Sequence, residues 1–210
     1  MLPAERFSTL WRQLGATDDG SVALASLESA YGEPHRSYHT VSHVVACLGL
    51  FDQTRSEAAR PNEVEVALWF HDAVYDPRAR DNEERTACMA CELMEASGIA
   101  PDVAGRVADM IRATREHEVS TPDTALVIDI DLAILAAPPE EFARFEAGIK
   151  REFEWVENEI YRATRAAVLR RFLDRPVIYA TPALRDRFEA PARANLRRLI
   201  DSLASGPGRS

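Results

Sequence analysis

The sequence predicts an all-α protein, a single helical bundle-like domain spanning residues 1–204 with a flexible tail at 205–210. Three observations carry this. Apolar residues recur at helical spacing along nearly the whole chain. Period-two alternation is almost absent; only "ALVIDID" could be argued as a strand. Several prolines and glycines, among them Gly32, Pro61, Gly98 and Pro101, fall where helices begin and end.

Taken in order, Phe7, Leu10, Trp11 and Leu14 mark a first helix. Val22 to Tyr31 forms a second, stopped by "GEP". A third runs from about Tyr38 to Thr54, with Val41, Val44, Val45 and Leu48 turned inward. Pro61-Asn62 opens a fourth, whose inward face carries Val64, Leu68, His71 and Tyr75. "DPRARDN" reads as a loop, with Asp81 or Asn82 capping a helix that reaches Ser97 and stops at Gly98. Pro101 to Thr114 is amphipathic, with Val103, Val107 and Ile111 inward. "PDTALVIDIDLAILAAPP" is apolar throughout and bounded by prolines. Helices over roughly Glu140 to Phe153 and Glu157 to Leu173 follow, then the extended link "RPVIYATP" and a last helix from Ala183 to Leu203. The end, "SGPGRS", has the composition of a frayed terminus.

Composition narrows the function classes. The chain has 210 residues, 46% of them hydrophobic, enough for one sizeable core. A formal net charge of -9 argues against general nucleic-acid binding and against adsorption to anionic lipid. No secretory leader and no apolar run of membrane-spanning length are visible. Three cysteines, Cys47, Cys88 and Cys91, form no disulfide framework, so a reducing cytoplasm is the expected location. Cys88 and Cys91 make a lone C-x-x-C on a helix and read as buried cysteines.

The chemistry lies in polar residues set in apolar places. Five histidines are present: His35, His39, His43, His71 and His117. His39 and His43 are four apart, so they share a helix face. Cys47 and Leu50 continue the His43 side, so His43 points inward. His71 continues the stripe of Val64 and Leu68, with Asp72 beside it. Successive helical residues diverge by about 100°, so both reach one ion only near a helix end. In "LVIDIDLAIL", Asp129 and Asp131 are the only polar groups. A carboxylate in so apolar a segment is costly unless paired or metal-bound. Two residues apart, they face nearly opposite ways, and the pattern does not choose between them. Imidazoles and carboxylates together suit Mn, Fe, Co, Ni or Zn as divalent ions.

These residues, as H…HD…D, resemble the signature of the HD superfamily of metal-dependent phosphohydrolases. "YGEPHRSYHTVSHVVACL", "ALWFHDAVYDP", "DNEERTA", "IDIDLAILAAPP" and "RPVIYATPALRDRFEAPARANL" extend the likeness from about Tyr31 to Leu196, and look like a bacterial family of predicted HD-domain phosphohydrolases. The resemblance implies an HD-type all-helical domain with His43, His71, Asp72 and Asp131 as metal ligands, since the superfamily's last aspartate is usually the second of a D-x-D pair. It implies one divalent transition-metal ion. Two-metal members bring two additional histidines between the HD pair and the final aspartate; here only His117 lies there, so a weaker second ion would rest partly on His117 and Glu84.

The reaction expected is hydrolysis of a phosphoester of a small molecule, a nucleotide being one candidate, through a metal-activated water. Asp72 would orient that water. Glu83 or Glu84 would serve as base or support, although acids in a helix's first turn are equally explained by the helix dipole. Arg36, His39 and His117 are the expected phosphate contacts, with Arg78 and Arg80 as further candidates. Two other readings stay open: a non-catalytic, metal-stabilised nucleotide sensor, and a diiron oxygenase, which the missing histidine disfavours. Aromatics near "YRATRAAVLRRFL" could serve a homo-oligomer.

Overall fold

The computed structural model describes residues 2–205, so of the flexible tail expected at 205–210 only Ser205 is described, as the last residue of a helix; the rest lies outside the described residues. Among those residues the secondary structure is helical, with no strand: α1 Ala4–Gln13, α2 Ser21–Tyr31, α3 Val41–Thr54, α4 Pro61–Phe70, α5 Asn82–Ala96, α6 Pro101–Ala113, α7 Pro122–Asp131, α8 Pro139–Glu152, α9 Asn158–Leu173 and α10 Pro182–Ser205. Short 3-10 turns cover Arg55–Glu57 and Leu132–Ala136. "ALVIDID" is helical. None of the described helices is long and apolar enough to cross a membrane.

The chain divides into two compact units, Met1–Ile130 and Asp131–Ser210. The first is organised around α4, which packs on α1, α3, α5 and α6. Proline at its first position costs no hydrogen bond there, because the first amides of a helix have no partner anyway. From Glu63 to Phe70 every residue is buried. Two of those residues are glutamates, and burial of a carboxylate needs a cationic partner. Glu63 receives Nε and Nη2 of Arg106 at 2.8 and 2.7 Å. Glu65 receives Nε of Arg6 at 2.7 Å and Nη1 of Arg55. Phe7, Trp11, Trp69 and Phe70 form an aromatic cluster, with Phe7 edge-on to Trp69 at 4.9 Å.

Helix α7 is buried on every side from Asp123 to Ile130, as its composition predicted. Its first turn is anchored within the same unit: the carboxylate of Asp123 accepts the amides of Ala59 and Arg60, at 2.7 and 3.1 Å, just ahead of α4. Asp131 is the last residue of this helix, so α7 fixes where it stands even though the division falls before it.

In the second unit α10 packs on α9 and on the 132–136 turn. The extended link is held by side chains: Glu189 accepts the amides of Ile178 and Tyr179, and the Tyr179 hydroxyl donates to Leu132 O at 2.9 Å. Asn195 donates to Leu135 O and Ala137 O.

Several expectations are corrected. Helix α3 begins at Val41, because Thr40 caps it and accepts the Ser42 amide. Val45 faces out at 45% exposure. Cys88 is exposed and Cys91 half-buried, against the buried reading of both; no disulfide joins any of the three cysteines. Asn82 does not cap α5 through its side chain but ties the loop together, accepting the Asp76 amide and donating to Asp76 O.

Candidate metal centre

Helix α4 stops at Phe70, so His71 and Asp72 lie just past its C-terminus and Tyr75 is not on it. Arg36 and Pro77 account for the stop. Pro77 lacks the amide that would serve Ala73 O in a continuing helix. The Arg36 guanidinium takes the freed carbonyls, donating to Asp72 O at 2.7 Å and Ala73 O at 2.9 Å. It also donates to His39 O at 3.0 Å and to Glu33 Oε2 at 3.0 Å, and lies over the rings of Tyr31 and Tyr75 at 5.2 and 5.5 Å. The side chain is fully buried. Arg36, expected to meet a substrate phosphate, instead holds the backbone of the HD turn.

His43 stands in the first turn of α3, 5% exposed; His71 is 1% exposed. The rings meet Nε2 to Nε2 at 2.9 Å, with planes at 68°. Each is oriented from behind. His71 Nδ1 is 3.0 Å from Leu68 O. A carbonyl only accepts, so Nδ1 carries the proton and, in the neutral ring, Nε2 presents a lone pair. His43 Nδ1 is 3.0 Å from the hydroxyl of Tyr38.

Asp72 completes a triangle. Its Oδ2 is 3.0 Å from His71 Nε2 and 3.5 Å from His43 Nε2. Around His71 Nε2 there are therefore two electron-rich neighbours at hydrogen-bonding distance. One proton can satisfy only one of them, whereas a cation satisfies all three atoms. A point ~2.1 Å from each, an ordinary length for Zn–N and Zn–O bonds, lies about 1 Å off their plane. Asp131, at the end of α7, brings a fourth donor: single ligand atoms of His43, His71, Asp72 and Asp131 lie within 4.8 Å of one another. The residues present thus fit a divalent cation.

No family model matches the chain, nor does any curated protein or any solved structure.

The other predicted site residues are placed as follows. His39 lies outside α3 and so does not share a helix face with His43. Its ring packs against Tyr75 at 4.2 Å and edge-on to His43 at 6.2 Å, beside the centre. His117 sits in the turn after α6 with a left-handed backbone, φ 55°, and is half-buried; it belongs to no ligand group found among the described residues. Glu84 is on the surface, paired with Arg112 at 2.7 and 2.9 Å, which holds its carboxyl below the usual range. Glu83 is half-buried in the first turn of α5. Neither glutamate joins a ligand group, so the second ion expected from His117 and Glu84 has no assembled site among the described residues. Asp129 is fully buried, while Asp131 is partly exposed.

Sequence reasoning missed Tyr38 and Leu68 O as the groups that aim the imidazoles, and Tyr75 as the ring against which His39 packs. A backbone carbonyl leaves no signature in a sequence. The tyrosine five residues before His43 reads as one more core aromatic. Cys47 was seen on the His43 face; its place beside the imidazole pair was not.

Proposed function

We propose that this chain is a metal-dependent phosphohydrolase of the HD superfamily, acting on a phosphoester of a small molecule. The convergence of His43, His71, Asp72 and Asp131 on one point supports the reading. They come from four positions in the order H…HD…D, the pattern on which the resemblance rests. A divalent cation, were these groups to hold one, would supply a water of lowered pKa, from 15.7 toward ~7, and a Lewis acid for a phosphoryl oxygen.

The chain's own residues do the rest. Leu68 O and Tyr38 keep the Nε2 atoms turned to the centre, and Arg36 keeps Asp72 where its carboxylate reaches both rings. The histidine side chains are 3% and 1% exposed while that of Asp72 is 22% exposed, so water and substrate reach the centre on the Asp72 side. There Asp72 would orient the incoming water. His39 and Tyr75, packed together beside His43, are the groups we assign to contact with substrate.

The test has two stages. Elemental analysis of untagged protein should find about one divalent transition ion per chain. Phosphatase assays with Mn²⁺, Co²⁺, Ni²⁺ and Mg²⁺ should then show turnover that His71→Ala and Asp72→Ala abolish. Activity surviving both substitutions rejects the site. Tight metal binding with no turnover on a broad phosphoester panel replaces the hydrolase with the metal-stabilised sensor.

A further inference from the structure

The second unit holds a cleft where α8 ends and α9 begins. Its volume is about 350 Å³, within the ~300–1,000 Å³ usual for small-molecule sites. Phe153, Val156 and Tyr161 give it an apolar lining, with the Phe153 and Tyr161 rings 6.5 Å apart. Lys150, Arg151 and Glu154 supply its charges. Among the described residues neither cation has a hydrogen bond or an ion pair through its side chain. Cations in the last turn of α8 are explained by the helix dipole alone. Tyr161 is not explained that way. It is 9% exposed, yet its hydroxyl has no hydrogen-bond partner among the described residues. A tyrosine buried to that degree usually finds one. Burial also holds its phenol above the ordinary value, so it stays a donor at neutral pH.

We propose that this cleft binds a small aromatic monocarboxylate. Lys150, Arg151 and the Tyr161 hydroxyl meet the carboxylate, and Phe153 meets the ring. The donors are of the kind that hold an anion: a guanidinium offers a carboxylate two parallel N–H bonds, and an ammonium and a phenol add one each. The charge of the lining selects among anions. Two cations and the Glu154 carboxylate leave a single positive charge. A monoanion is matched by it, whereas a phosphate dianion is only half compensated and meets Glu154 as a like charge. The aromatic body follows from the surroundings. Phe153 is in the lining, and Trp155, 48% exposed, lies 6.3 Å from its ring and extends the apolar surface. No bond is made or broken on binding. None of these residues is a proposed metal ligand, so the inference stands apart from the hydrolase reading.

The experiment follows para-fluorophenylacetate by fluorine NMR as the full chain is added. The signal should shift saturably, with one site per chain. Tyr161→Phe keeps the ring and breaks no bond within the protein, so it should fold; it should weaken binding about tenfold, as should Lys150→Gln and Arg151→Gln together. The neutral isostere para-fluorophenylacetamide should bind at least about tenfold more weakly than the acid. His71→Ala should leave binding unchanged. Four results overturn the proposal. The first is no saturable shift at millimolar probe. The second is binding untouched by Tyr161→Phe and by the paired cation variant, which would put the probe elsewhere. The third is equal binding of the amide, or tighter binding of para-fluorophenyl phosphate, which would remove the selection by charge. The fourth is loss of binding in His71→Ala, which would place the probe at the metal centre.

Discussion

Replacing Arg36 by alanine should damage stability and metal binding together. The guanidinium serves three backbone carbonyls, those of His39, Asp72 and Ala73. A buried polar atom left without a partner costs ~1–3 kcal/mol, and water can reach the opened ends at His39 and Asp72, so the sum is about 3–5 kcal/mol. That is a large part of the 5–15 kcal/mol typical of a folded domain. Urea unfolding followed by tryptophan fluorescence is a suitable assay, because Trp11 and Trp69 are fully buried in the first unit while Trp155 in the second is half exposed. With m near ~3 kcal/mol/M the midpoint should fall by roughly 1–1.5 M. Arg36→Lys keeps the charge but cannot fork across the carbonyls, so it should recover less than half of the loss. Metal affinity of the folded variants should drop about 10–100-fold, as when a group that orients a ligand is removed. An Arg36→Ala midpoint within ~0.3 M of the parent, with metal affinity unchanged, would refute the role assigned to this side chain.

Tyr38→Phe removes the hydroxyl behind His43 Nδ1 and should weaken metal binding by roughly tenfold with little change in unfolding midpoint, read by competitive chelator titration. Gly20→Ala should destabilise by about 2–4 kcal/mol in the same urea assay: its φ is +72°, and an added Cβ would stand 2.8 Å from two carbons of the Trp11 indole. Asp18 has its carboxyl held below the usual range by bonds from Ser97, the Gly20 amide and the Trp11 indole. Its stabilising contribution is therefore full above the unfolded value of ~3.9 and is lost as pH falls through the lower folded value. The stability gap between wild type and Asp18→Asn should close over that acid window and stay constant from pH 5 to 7. A gap independent of pH would show the carboxylate bonds to be without effect.

Helices were legible where the chain punctuates them. Pro61, Pro101, Pro122, Pro139 and Pro182 each stand at a first helical position, and apolar spacing gave the buried faces between. The apolar stretch of α7 announced both its burial and the oddity of its aspartates. Periodicity could not choose between Asp129 and Asp131, because a helix buried all round has no outward side to break the tie. The errors have local causes. Extending α3 back to Tyr38 ignored Thr40, whose hydroxyl starts the helix later and leaves His39 outside it. "AVYDP" marked a helix end close to His71 and Asp72, since Pro77 has no amide for Ala73 O; placing Tyr75 on the helix overran it, because Arg36, 36 residues before Asp72, already takes the Asp72 carbonyl. Arg36 was misassigned to phosphate because a buried and a solvent-facing arginine look alike in one dimension.

The abrupt finish of α4 has a consequence for how such a protein could change over time. Two adjacent side chains can turn to one point here because the helix ends between them: His71 still keeps helical backbone angles as the cap residue, and the chain leaves the helical path after it. Residues that favour another turn of helix at positions 73–76 would swing the acid away from the rings while every coordinating side chain stayed in place. A descendant could therefore display an intact signature and hold no ion, its silence written in the few positions after the aspartate.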